Sequence, residues 1–445
     1  MSKQSKTWQL IFLGLLAIYE IIGNCQTTAC WPRFKSKSRD GPLFWNIFGK
    51  TNKGGDHSND IDENSQEIDE NSAKYEKLKW TTVIESDWIK NHNFSLELHY
   101  VVTEDGYNLT LHRLPRPGSS PVLLLHGLLT SSLAWVIMGP AKSLAFQLFN
   151  SQHDVWLANL RGSAYGRNHS RFTTNDAEFW SFSFHEWGRY DLPAIVDHIR
   201  SETSFHQVWL IAHSQAFNAI LVLCSLLPQY NERLQFVQAL APIASLRNQV
   251  KFTNDDVRKV FRFVKKKTND NDFELLPQSF MRDKCLRSSQ RSECEKWFML
   301  LAGNGQYDRA MNTLLYGQLL QGGSVKEATH LRQLWKSGDF IWFDYDPQVN
   351  LVNYRSVAPP FYNLSLVQVP MILYFGNTDA IATPEGVHSI YAHMLDNVKG
   401  VYRIDAEKFN HYDFYISSEI KKLVNDRLLD HKEKLQKNQL KYVVE

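Results

Sequence analysis

The apolar positions of the chain fall into short unbroken runs separated by amphipathic stretches. "PVLLLHG" (Pro121 to Gly127), "HDVWLANLRG" (His153 to Gly162) and "QVWLIA" (Gln207 to Ala212) are almost continuously apolar, as expected of strands buried on both faces. Between the last two, "FHEWGRYDLPAIVDHIR" (Phe184 to Arg200) repeats its apolar residues at helical spacing, which predicts an amphipathic helix. Upstream, "LELHYVVTEDGYNLTLHRL" carries two β-rich runs on either side of Asp105-Gly106. An Asp-Gly pair in that setting predicts a tight turn and a hairpin. "VPMILYFG" (Val369 to Gly376) and "VYRID" (Val401 to Asp405) predict two later strands. Strands alternating with helices imply a mostly parallel, doubly wound sheet, because every parallel strand needs a crossover. Between Ala244 and Pro360 the strand rhythm fails, and helical spacing, charge clusters and Gly/Pro breaks replace it. The expected architecture is therefore α/β: one core from 79–243 and 361–430, an inserted cap at 244–360 over the carboxyl edge of the sheet, and a tail at 431–445.

The ends change this picture. Lys3 and Lys6 precede an apolar run from Leu10 to Tyr19, with small residues such as Gly23 after it, the pattern of a signal peptide over 1–25. The run is shorter than the roughly 20 residues that span a bilayer, so no transmembrane anchor is expected. From 26 to 78 the chain is polar and biased, with "IDENSQEIDENS" at Ile61 to Ser72 and six acidic residues from Asp60 to Glu70. Such a stretch buries too little apolar surface to fold and reads as a disordered arm; it lacks the ordered ligand spacing and glycine of a calcium loop. Lys+Arg 49 against Asp+Glu 47 gives no reason to expect nucleic acid as a partner, and Lys265 to Lys267 read as a solvated face. Four sequons, at Asn93, Asn108, Asn168 and Asn363, fit the secretory route as glycosylation candidates, with Asn108 in an expected strand. In that compartment Cys285 and Cys294 are the natural disulfide. Cys224, on the apolar helix after Ser214, reads as a packed thiol, and the state of Cys30 is open. Secretion is the expected destination, with the lysosome as the alternative.

"VWLIAHSQAFNAI" (Val208 to Ile220) delivers Ser214 from a strand onto a helix. A serine nucleophile requires an imidazole to take its proton, a carboxylate to orient that imidazole, and donors for the oxyanion. In open α/β sheets these stand at the carboxyl ends of strands, in chain order Ser, Asp or Glu, His. Asp379 follows the strand "MILYFG", and His411 lies in the loop after "VYRID"; His388 and His393 fall in a helical pattern. The turn after "LLLHG" can aim the Leu128 backbone N–H at the same point as that of Gln215. Neither H-E-x-x-H nor a paired C-x-x-C occurs, so no metal or cofactor is expected.

These blocks resemble the acid lipase family of α/β-hydrolases, the gastric and lysosomal lipases and their secreted insect relatives. "VTEDGYNLTLHRLP", "LLHGLLTSSLAW", "DVWLANLRGSAYGRNH", "HSQ", "YDPQVNLVNYRSVAPPFYNLSLVQVP" and "FNHYDF" match its signatures in order over about Lys79 to Leu429. The resemblance implies Ser214, Asp379 and His411 as the triad, Leu128 and Gln215 as oxyanion donors, a lid-bearing cap, a Cys285 to Cys294 bridge, and hydrolysis of neutral lipid esters at a lipid–water interface. The sequence departs from the family at Thr378, usually Asn, and at Gly386, commonly acidic. It departs again at Ala212 and Ala216, where the motif G-x-S-x-G has glycines. Two readings follow: a working hydrolase whose elbow accommodates two methyls, or a lipid-binding protein that keeps the cleft without turnover.

Overall fold

The computed structural model describes residues 84–244, 273–277, 279, 292, 294–296, 302–306, 314–394 and 396–440. The expected signal segment and acidic arm, Cys30, Lys265 to Lys267 and Cys285 lie outside the described residues.

The Asp105-Gly106 turn forms as its sequence predicts. Gly106 has φ +102, a left-handed conformation that glycine tolerates, and the Thr103 hydroxyl donates to Asp105 Oδ1 at 2.7 Å. It joins β1 (Glu97–Val102) to β2 (Tyr107–Leu114), antiparallel in register from Glu97 opposite Arg113 to Val102 opposite Asn108. The apolar runs supply β3 (Pro121–Leu125), β4 (Asp154–Ala158) and β5 (Val208–His213), every residue of which is buried. Both faces of these strands are covered by packing, and each fully buried Val, Leu or Ile contributes about 1.5–3 kcal/mol relative to exposure.

β6 (Leu234–Leu240), β7 (Met371–Phe375) and β8 (Val398–Arg403) complete a sheet of order β1-β2-β4-β3-β5-β6-β7-β8, with the two-residue strand Asn168–His169 paired to β2. From β4 to β8 all neighbours are parallel. The strand order reverses beside β3 and β5, and ligands of open α/β sheets bind at such a switch point, outside the carboxyl ends of the strands. β6, "LQFVQAL", is the strand that apolar periodicity alone overlooks, because Gln235 and Gln238 interrupt its run. Gln238 is nevertheless buried, donating to Tyr374 Oη at 2.8 Å and to the Leu428 carbonyl at 3.0 Å.

After the short helices α1 (Glu85–Asn91) and α2 (Leu144–Asn150), the helix expected after β4 forms with one irregularity. A turn at Phe184–Glu186 runs through a π-turn at Trp187–Asp191 into α3 (Leu192–Thr203). Within the π-turn, a Cβ on Gly188 would lie 2.4 Å from the Ala219 carbonyl oxygen. Ala219 belongs to α4 (Gln215–Leu226), the helix that follows Ser214. Only a glycine allows the two helices to meet this closely.

Candidate active site

β5 ends at His213, and the next residue carries the turn. Ser214 has φ 56 and ψ −122 and opens directly into α4, the sharp strand-to-helix elbow that exposes a nucleophile. Ala212 and Ala216 are both fully buried. Ala212 sits in register between Leu125 of β3 and Ala239 of β6. The close approach that a glycine must supply lies elsewhere: a Cβ on Gly127 would be 2.9 Å from His213 Nδ1 and 3.0 Å from Ser214 Cβ.

The structure brings the three predicted side chains into one chain. His411 Nε2 is 2.8 Å from Ser214 Oγ, and His411 Nδ1 is 2.9 Å from Asp379 Oδ2. Asp379 Oδ1 accepts from the backbone N–H groups of Ile381 and Ala382, each at 2.8 Å. That leaves Oδ2 for the imidazole, which selects the tautomer with its proton on Nδ1 and its lone pair toward the serine. All three residues are at most 5% exposed. His213 donates through Nε2 to the His411 carbonyl at 2.9 Å, tying the histidine loop to the elbow. Burial, with His411 beside it, holds the His213 pKa well below the ordinary imidazole value, so this ring is a neutral brace.

The loop after β3 is fixed by similar means. His126 Nδ1 donates to the Gly127 carbonyl at 2.9 Å and its Nε2 accepts from the Leu160 N–H at 3.1 Å; burial lowers its pKa to about 4, which keeps the ring neutral. The Gly127 N–H donates to Tyr415 Oη at 3.3 Å, and Leu129 takes φ 66. Among the described residues, neither the Leu128 nor the Gln215 N–H has an acceptor. Gln215 N–H belongs to the first turn of α4, whose leading donors have no partner within the helix.

Three contributors escaped sequence reasoning, all from the stretch between β6 and β7. The Ala302 carbonyl accepts from His411 N at 3.2 Å and from Ala380 N at 3.4 Å. The Gly303 carbonyl accepts from Asn410 Nδ2 at 2.9 Å, so Ala302 and Gly303 span the loops carrying Asp379 and His411. The departure at Thr378 belongs to this junction, its hydroxyl donating to the Asn304 carbonyl at 2.6 Å and accepting from Phe409 N at 2.8 Å. The third is Glu327, in the first turn of α5 (Val325–Ser337). It accepts from Gln215 Nε2 at 2.6 Å and from Ser324 N at 2.7 Å. Burial raises its pKa to about 8 despite both hydrogen bonds. A glycine and a glutamate without a motif around them carry no local signal; contact across more than a hundred residues gives them their role.

A mostly parallel sheet with a serine at the elbow beside its switch point defines the α/β-hydrolase class. A family model for the alpha/beta hydrolase fold matches residues 120–415, and one for a partial alpha/beta-hydrolase lipase region matches residues 86–139. Lipase 1 of Drosophila melanogaster is 36% identical over 346 residues, 77% of each chain. Gastric triacylglycerol lipase of Bos taurus is 31% identical over 350 residues, 74% of this chain and 86% of that one, and its Homo sapiens counterpart 32% over 348 residues, 74% and 85%. The chain belongs to the acid lipase family of α/β-hydrolases, enzymes that hydrolyse ester bonds. Among the described residues no helix is long and apolar enough to cross a membrane.

Proposed function

We propose that this chain is a secretory-pathway lipase that hydrolyses neutral lipid esters, acylglycerols or sterol esters, through Ser214, His411 and Asp379. The observation that carries the reading is the single imidazole within hydrogen-bond reach of both the serine and the carboxylate. His411 takes the Ser214 proton as Oγ attacks the ester carbonyl, and Asp379 steadies the imidazolium. The Leu128 and Gln215 N–H groups receive the developing oxyanion; loss of one such donor typically lowers the rate by about 100 to 1,000-fold. His411 then protonates the departing alkoxide, leaving an acyl-serine, and a water deprotonated by the same ring releases the fatty acid. Acylglycerol as substrate is supported by the names of the gastric triacylglycerol lipases among the relatives. In this reading residues 244–360 form the cap, Cys294, which is disulfide-bonded, pairs with Cys285, and the exposed Asn93, Asn168 and Asn363 carry glycans.

The lipid-binding alternative rested on the two alanines, and both methyls are accommodated with Ser214 Oγ in reach of His411. Labelling of the purified protein with a fluorophosphonate ester probe tests the reading. Wild type is expected to label and Ser214→Ala not to, with hydrolysis of a triacylglycerol emulsion falling by at least about 1,000-fold. A folded wild type that does not label, or a Ser214→Ala protein that hydrolyses esters normally, defeats it.

A further inference from the structure

At the edge of the sheet, separated from β5 by β2, β4 and β3, two histidines meet outside the machinery described above. His99 lies on β1 and His198 on α3, and His198 Nε2 is 3.0 Å from His99 Nδ1. Glu202 lies four residues beyond His198 on the same helix, and side chains at that spacing share a face. One ligand atom from each of His99, His198 and Glu202 lies within 4.8 Å of the other two. We propose that these three residues form a binding site for a divalent transition-metal ion of the zinc type, which fastens the edge strand β1 to α3.

The donor set suits such an ion. Two imidazoles and a carboxylate, with water completing a tetrahedron, are a recurrent zinc environment. Two ligands about 2.0–2.1 Å from a tetrahedral zinc are themselves about 3.3 Å apart, so the two nitrogens separate by only a few tenths of an ångström on loading. The proton they now share leaves as metal enters, because both must then present lone pairs. Glu202 is exposed and free to swing inward.

The surroundings carry the further features of a metal site. His99 turns its other nitrogen, Nε2, toward Glu97 Oε2 at 3.4 Å. A carboxylate behind a ligating imidazole fixes its tautomer and raises its basicity. Glu97 is itself held by Arg113 Nη1 at 2.8 Å. The Trp156 ring packs against both imidazoles, with centroids 4.6 Å from His99 and 5.9 Å from His198. Spacing motifs cannot reveal this site, because His99 and His198 are 99 residues apart and meet only through the sheet.

The test is calorimetric titration of EDTA-dialysed, full-length protein with zinc chloride at pH 7.5, beside His198→Gln, His99→Gln and Glu97→Gln. Wild type is expected to bind one zinc at this site and to melt at a higher temperature with zinc than without. His198→Gln and His99→Gln should each weaken that binding at least about 100-fold and abolish the melting shift, and Glu97→Gln should weaken it about tenfold. Ester hydrolysis by zinc-free wild type and by His198→Gln should be equal, since none of these residues touches the Ser214 site. If wild type takes up no zinc, or if both histidine variants bind it with wild-type affinity, the assignment is wrong. Should one variant fail to fold, zinc-edge anomalous diffraction from wild-type crystals decides: a peak between His99 and His198 supports the site, and its absence overturns it.

Discussion

At Ser214, the nucleophile we propose, the backbone itself is unusual. A serine at φ 56 lies in a region that non-glycine residues seldom adopt, and the strain is sustained because β5, α4 and the Gly127 turn all over-determine it. Alanines stand two places to either side of Ser214, and both are fully buried. Gly303 is the opposite case. It has φ +92, and a Cβ there would lie 1.9 Å from the Thr378 carbonyl oxygen, in the junction that aligns Asp379 with His411. Gly303→Ala is expected to lower the rate of fluorophosphonate labelling at least about tenfold, since strain of about 1–3 kcal/mol at that junction would displace the two loops. Gly118→Ala is the control, with φ +81 and nothing within 4 Å of the added Cβ. It should lose some stability and keep its labelling rate; equal rates in the two variants would remove Ala302 and Gly303 from the alignment of the site.

Among the elements, the β1–β2 hairpin is locally encoded but globally held. Its turn follows from Thr103 and Asp105-Gly106, while its position depends on Arg161, a buried residue beyond β4. The Arg161 guanidinium reaches Asp105 Oδ2 and Oδ1 at 2.5 and 2.8 Å and Asp191 Oδ1 at 2.6 Å, and lies 4.0 Å over the Tyr107 ring. Burial raises the Asp191 pKa to about 6 even with Arg161 beside it. Removing the cation would leave a buried carboxylate unpaired, which costs about 3–5 kcal/mol. Arg161→Met is therefore expected to lower the unfolding free energy read from urea titration by about 3–5 kcal/mol, and Arg161→Met with Asp191→Leu to recover part of the loss. If the single and double variants unfold at the same midpoint, the network is dispensable to the hairpin.

Over the whole molecule, buried titratable groups of opposite kinds set a pH window. Burial raises Glu327 to about 8 and Asp413 to about 7, so between the ordinary carboxyl pKa and these values the folded state holds protons that the unfolded chain releases. Their contribution to stability is present at low pH and is lost as pH rises through about 7 to 8. Burial lowers His126 and His431 to about 4, His153 also to about 4 with help from Lys432, and His330 to about 3. The unfolded chain binds protons at these histidines below its pKa near 6.5, so their contribution is lost as pH falls below that value. The two limbs meet near pH 6.5, where a series of melting temperatures from pH 4 to 9 is expected to peak. Glu327→Gln should flatten the limb above pH 6.5, melting at least about 2 °C above wild type at pH 8 and within about 1 °C of it at pH 5. A difference independent of pH would mean that Glu327 is ionised throughout.

Much of this protein is written locally. Hydrophobic period marks β3, β4, β5, β7 and β8, the Asp-Gly turn marks the hairpin, and strand ends in the order Ser, Asp, His point to the three side chains that meet. These signals survive in one dimension because each depends on neighbours a few residues apart: alternation, helical repeat, turn stereochemistry and the abrupt end of an apolar run. What the tertiary structure alone decided depends on groups distant in the chain sharing one volume. β6 is a strand despite its glutamines because buried partners satisfy Gln238. Gly127 and Gly188 are needed as glycines because the fold sets them against His213 and Ser214 and against Ala219 and Val222. Gly303 and Glu327 matter because the fold places them against Thr378 and Gln215. Burial, steric exclusion and desolvation belong to the packed chain, and no window of the sequence contains them.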